Sequence, residues 1–173
     1  MILYEACVTQ MAKMLGQLDV WLGEAVEYAE SRDFDPDRFL HERLHPDMFA
    51  LTQQIQSACD TAKFAGSRLT ATEAASDPDD ETTLAQLRAR IQKTIAGLRA
   101  LDPSQFEAAA DREFRFAAVP EGKVTRGLSY FIQFAQPNFY FHVTTAYGLL
   151  RRAGVKLGKR SFIGSLPLFD PES

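Results

Sequence analysis

The first thirty residues constrain the fold more than any other part of the chain. From Tyr4 to Ala29 apolar side chains recur in alternating steps of four and three: Tyr4, Val8, Met11, Leu15, Leu18, Leu22, Ala25 and Ala29. An α-helix turns once in about 3.6 residues, so this spacing keeps all of these side chains on one narrow seam. A seam of that length has to be covered along its whole extent, and other long helices crossing at a shallow angle are what cover it. The spacing predicts a first helix over Tyr4–Ala29 within an all-α, four-helix bundle.

The remaining punctuation completes the bundle. A polar break at Ser31 to Asp37 and a short turn over Arg38 to Leu44 precede a second long helix, which Pro46 opens, because proline suits a first helical position. Its apolar seam is Met48, Leu51, Ile55, Cys59, Ala62 and Ala65, it closes near Leu69, and Asp47 sets a negative charge at the positive end of its dipole. Thr70 to Asp80, TATEAASDPDD, has no apolar period and reads as an exposed acidic loop. A third helix follows over Glu81 to Leu101, with Leu84, Leu87, Ile91, Ile95, Leu98 and Leu101 on one side and Asp102-Pro103 ending it. Between Ala108 and Val124 the alternation Glu113, Phe114, Arg115, Phe116 and the turn Pro120-Glu121-Gly122 suggest a small hairpin or extended excursion. The apolar stretch from Leu128 to Ala146 is broken at Gln136-Pro137, so the fourth helix is placed over Pro137–Ala153 with Gly154 as terminator.

At 173 residues the chain suits a single domain over residues 1–173 with its own core. A formal net charge of −4 lacks the positive field that draws phosphate backbones, which argues against a nucleic-acid partner. No run of about 18 apolar residues occurs, as a membrane span needs, and the N-terminus has no basic segment ahead of an apolar core. Residence in the cytoplasm is the expectation, with Cys7 and Cys59, far apart and in no paired motif, as reduced packing residues.

Chemistry has to come from few groups. The three histidines are His41 and His45 in HERLHPDMF and His142 in PNFYFHVTTAY. His41 and His45 have the i, i+4 spacing that grips a metal on one helix face, but Pro46 pushes His45 out of the helical region. The more telling pair is His45, opening the second helix, and His142, in the first turns of the fourth. If both meet at one end of the bundle, Asp47, Asn138 or His41 completes three ligands for a divalent metal, zinc or nickel, with an open position for water. The alternative is that each histidine makes an ordinary hydrogen bond in a polar layer. Tyr130, Tyr140 and Tyr147 add hydroxyls nearby, explained mainly by aromatic packing. RRAGVKLGKRS, from Arg151 to Ser161, fails as a phosphate loop because Gly154 and Gly158 are one residue too close and Arg160 replaces the hydroxyl residue.

The N-terminal seam, LHPDMFALTQQIQSACDTAKFAG and QPNFYFHVTTAYGLLRRAGVKLGKRSFIG together resemble, over nearly the whole chain, a bacterial branch of unassigned function in the DinB/YfiT-like superfamily. The resemblance implies a four-helix bundle, commonly a homodimer, whose better-studied relatives are metalloenzymes, some of them thiol-dependent S-transferases or hydrolases acting on small molecules. Those relatives use one histidine of helix two and two of helix four, four residues apart. His45 and His142 carry over as ligands; the fourth residue before His142 is Asn138 and the fourth after it is Ala146. Two expectations follow from these residues: a metal-dependent enzyme of hydrolase or transferase type, or a non-catalytic helical dimer or ligand-binding module that has lost the full metal site.

Overall fold

A computed structural model of the chain describes residues 2–170. They are mostly helical, with one small antiparallel sheet. The N-terminal seam becomes α1, a continuous helical run over 2–30 whose turn Glu5–Thr9 is a wider π-turn. Val8, Met11, Leu15, Leu18, Leu22, Ala25 and Ala29 are all buried. Each large aliphatic side chain among them contributes roughly 1.5 to 3 kcal/mol by leaving water.

The second long helix, α2, spans Leu51–Thr70 and does not begin at Pro46. Proline fits the second place of a tight turn as well as it fits a helix start, and here the Met48 amide donates to the His45 carbonyl at 3.0 Å, closing a turn over His45–Met48. Ala50 is then extended, and the Gln53 side chain reaches back to its amide at 3.1 Å, so the helix starts afresh at Leu51. Asp47 therefore lies outside the helix, and Met48 drops off the buried seam. The third helix, α3, covers Leu84–Arg99, shorter at both ends than expected: Thr83 caps its start, its hydroxyl accepting from the Gln86 amide while the Gln86 carboxamide accepts from the Thr83 amide, and at its end the Leu101 amide closes a tighter turn on the Leu98 carbonyl.

The irregular connection carries a hairpin, with β1 at Glu113–Phe114 and β2 at Thr125–Arg126 pairing Glu113 with Arg126 and Phe114 with Thr125. A turn closed by the Lys123 amide on the Pro120 carbonyl lies between them. The helix that follows, α4, runs over 127–152 and starts well before Pro137. The expected break at Gln136-Pro137 is absent. Its turn Phe131–Ala135 is π-helical, with the Gln136 amide donating to the Phe131 carbonyl, and this wider turn lets the chain pass proline without ending. A Cβ at Gly127 would lie 1.9 Å from the Ala109 carbonyl oxygen, so α4 starts at a backbone crossing only glycine permits. At its far end Gly154 has φ of +105° and the Val155 amide returns to the Leu150 carbonyl, a left-handed helix stop.

The four long helical segments surround one core, α2 packing on α3 and α4, and α1 on α3 and α4. After α4 a short helix, α5 at Lys159–Ile163, lies against α1. There the fully buried Trp21, which lies off the α1 seam, donates Nε1–H to the Ser161 carbonyl at 3.1 Å, stacks on Phe162 and meets Tyr147 edge to face. No helix among the described residues is long and apolar enough to cross a membrane.

Candidate functional site

One polar layer of the interior lies between α2 and α4. Gln54, in the first turn of α2, and His142, in the middle of α4, are both buried and meet with His142 Nδ1 2.7 Å from Gln54 Oε1. The hydrogen-bond chain assigns the proton. The Phe49 carbonyl can only accept, so the Gln54 Nε2 at 3.2 Å from it must be the donating end of the carboxamide. Oε1 therefore faces the imidazole and accepts from Nδ1–H, and the neutral ring carries its free lone pair on Nε2. Burial pushes the His142 pKa below its ordinary value, so the ring is uncharged at neutral pH. The rings of Phe49 and Phe141 flank it, the first nearly parallel and the second edge-on. A second cross-helix pair joins the same two helices: Asn138 Nδ2 donates to Thr61 Oγ1 at 2.7 Å.

The other histidines and Asp47 are exposed. The His45 side chain is 67% exposed and its Nδ1 faces Asp47 Oδ1 at 2.5 Å within the same turn. His41 is exposed at the end of the 3₁₀ turn Pro36–His41. Among the described residues, no group of three or more His, Cys, Asp or Glu side chains comes together to hold a metal ion. The donor set around His142 does not fit the metal implied by the resemblance, since its ring partner is a neutral carboxamide and Asn138 has its amide nitrogen committed to Thr61. Tyr130 OH accepts from Arg68 at 2.8 Å and Tyr140 OH from Gln10 at 2.9 Å, while Tyr147 packs on Trp21. Of the basic run, Arg152 donates to the Glu42 carboxylate and the Arg43 carbonyl, and Arg151 to the Val155 carbonyl. Cys7 and Cys59 are free and buried, and burial pushes both thiols up to about 12, where they are inert.

The segment read as an exposed acidic loop is a mostly exposed loop beyond Thr70, and it is also clasped onto α2 and α3. Arg90, its side chain only 3% exposed, holds Asp60, Asp79 and Glu81 at 3.0 Å each and donates to the Pro78 carbonyl. Asp77 gives one carboxylate oxygen to Lys63 at 2.8 Å and the other to Lys93. Hydrogen bonds from Lys63 and Lys93 pull the Asp77 pKa down to about 2. For Glu81, burial alone would raise the pKa, but hydrogen bonds from Gln56 and Arg90 outweigh it and the carboxyl titrates below its usual range. Sequence reasoning missed this network because helical periodicity carries no information about which charges meet across a loop. The available signal was the run DPDDE beside Lys63, Arg90 and Lys93 on the flanking helices.

Residues 3–163 match the family described as "Domain of unknown function (DUF1993)". No curated protein matches the chain. A crystal structure of a DinB family member protein from Shewanella denitrificans is similar at a TM-score of 0.93 and 40% sequence identity, over 98% of this chain and 96% of that one. Match and likeness both extend over nearly the whole described chain, and the protein belongs to the DUF1993 family of unassigned function, with a DinB-like fold.

Proposed function

We propose that the chain is a single-domain four-helix bundle of the DinB/YfiT-like type that works as a non-catalytic, homodimeric, small-molecule-binding module. One observation carries the reading: the buried imidazole between α2 and α4 is held by a carboxamide, with an amide–hydroxyl pair beside it, instead of by further nitrogen or carboxylate donors. Carboxamides bring no charge to offset a divalent cation, so a layer of this composition favours packing and neutral recognition over tight metal binding. The dimer is supported by exposed aromatic side chains, Phe134 and Phe141 seven residues apart on α4 and Phe49 before α2, apolar surface that a second copy would cover. Two unpaired, inert thiols suit a reducing cytoplasmic setting.

Elemental analysis of protein purified without a histidine tag tests the reading: zinc, nickel, iron and manganese each well below one per chain are the expected result, with light scattering giving twice the chain mass. A second reading, a metal-dependent hydrolase or transferase with His45 and His142 as ligands and Asp47, Asn138 or His41 as the third, draws support from one detail. Both histidines have Nδ1 facing an oxygen acceptor, which leaves Nε2 for a ligand. About one metal per chain, lost on His142→Ala, would put that reading in place of the first.

A further inference from the structure

The loop between α2 and α3 is attached in an unusual way. Among the described residues, nothing from Glu73 to Thr82 makes a backbone-to-backbone hydrogen bond. Side chains alone hold this strap: Asp77 on Lys63 and Lys93, and Asp79, Glu81 and the Pro78 carbonyl on Arg90. Beneath it, between α2 and α3, is a cavity of about 270 Å³. Leu98 and Leu101 give it an apolar wall, Ser67 and Thr94 add hydroxyls, and Lys63 and Lys93 stand on its lining with Asp77 between them.

The Asp77 carboxylate thus occupies, from within the chain, the place a ligand carboxylate would take. Each of its oxygens meets a different ammonium group, and one of these, Lys63, is only 17% exposed. Its displacement would break no helix or sheet hydrogen bond, because the strap contributes none. The charge around the cavity selects the class of anion. Lys63 also holds Asp60 at 3.0 Å, Glu73 stands on the lining, and the Arg90 guanidinium is engaged by three acids. Asp77 brings a single negative charge to the two ammonium groups, so a monoanion replaces it like for like, whereas a dianion would set an extra charge beside Asp60 and Glu73. The volume lies near the lower end of the roughly 300 to 1,000 Å³ usual for small-molecule sites. We propose that the cavity under the 73–82 strap binds a small monocarboxylic acid with a short apolar tail, its carboxylate on Lys63 and Lys93 and its tail along Leu98 and Leu101, and that Asp77 is a built-in competitor for this site.

Hexanoate titrated calorimetrically into the full chain is the probe, with 1-hexanol and inorganic phosphate as controls. Asp77→Asn removes the competitor and keeps its shape, so it is expected to bind hexanoate at least roughly tenfold more tightly than the unchanged chain, a gain that adding Lys63→Met abolishes and that neither control shows. The proposal falls if Asp77→Asn binds no better, if the gain survives Lys63→Met, or if phosphate gains as much. Amide NMR on the unchanged chain supplies a readout free of any substitution. Saturating hexanoate should shift the amide resonances of 73–82 while those of α1 hold steady; an unaltered strap would overturn the idea equally.

Discussion

Helix α2 is polar on two sides, and the two sides differ in kind. Toward α4 it presents Gln54 and Thr61, which meet His142 and Asn138 in pairs that carry no charge at neutral pH. Toward α3 and the strap it presents Asp60 and Lys63, which join a network with Arg90, Asp77, Asp79, Glu81 and Lys93. The difference follows from what lies outside each face. A group sealed between two helices cannot keep its hydration, and a neutral pair costs far less to bury than an ion. Under a strap some members of the network stay wet, as Asp79 and Lys93 do, so full charges are retained and multiply bonded.

Four perturbations, in falling order of effect, break or sharpen this contrast. Arg90→Met leaves three acids facing one another without their common cation, and urea denaturation should register a loss of roughly 3 to 5 kcal/mol. His142→Ala strands the Gln54 carbonyl oxygen in a closed layer, with an expected loss of roughly 1 to 3 kcal/mol; a neutral outcome would mean that the layer is not sealed. Acid should act on the same layer. Because the folded-state pKa of His142 lies below the ordinary value of 6.5, the unfolded chain takes up the proton first, and stability declines as pH falls from about 6.5 toward the folded value. That slope should flatten in His142→Gln, as measured by thermal melts across the range. Salt should produce the smallest response and on the other side only. Going from about 0.1 M to 1 M shortens the Debye length from roughly 10 Å to 3 Å, so the amide NMR resonances of the strap should shift while those of the α2–α4 layer are unmoved.

The helices were legible in the residues because burial leaves a periodic trace. Val8 through Ala29, Leu51 through Ala65 and Leu84 through Leu98 lie inward where their spacing puts them. Trp21 was not legible that way, since a single-stripe seam assumes one covered side and α1 is covered on more than one. Pro46 and Pro137 were misjudged for a shared reason: proline fixes its own φ, but whether the chain turns, starts a helix or slides through a π-turn is settled by residues around it. Of the candidate site, His142 and Asn138 could be picked out as a histidine in the fourth helix and the polar residue one turn before it. Their partners could not, because Gln54 and Thr61 are ordinary helix residues until α4 is laid across them.

The chain has one tryptophan, and it is the residue on which α5 is seated. Its fluorescence is thus a built-in gauge of the C-terminal segment: shielded, the indole emits toward the blue, and it shifts red once water reaches the ring. Undocking of this short helix becomes visible by itself, without a label and ahead of any melting of the long helices behind it.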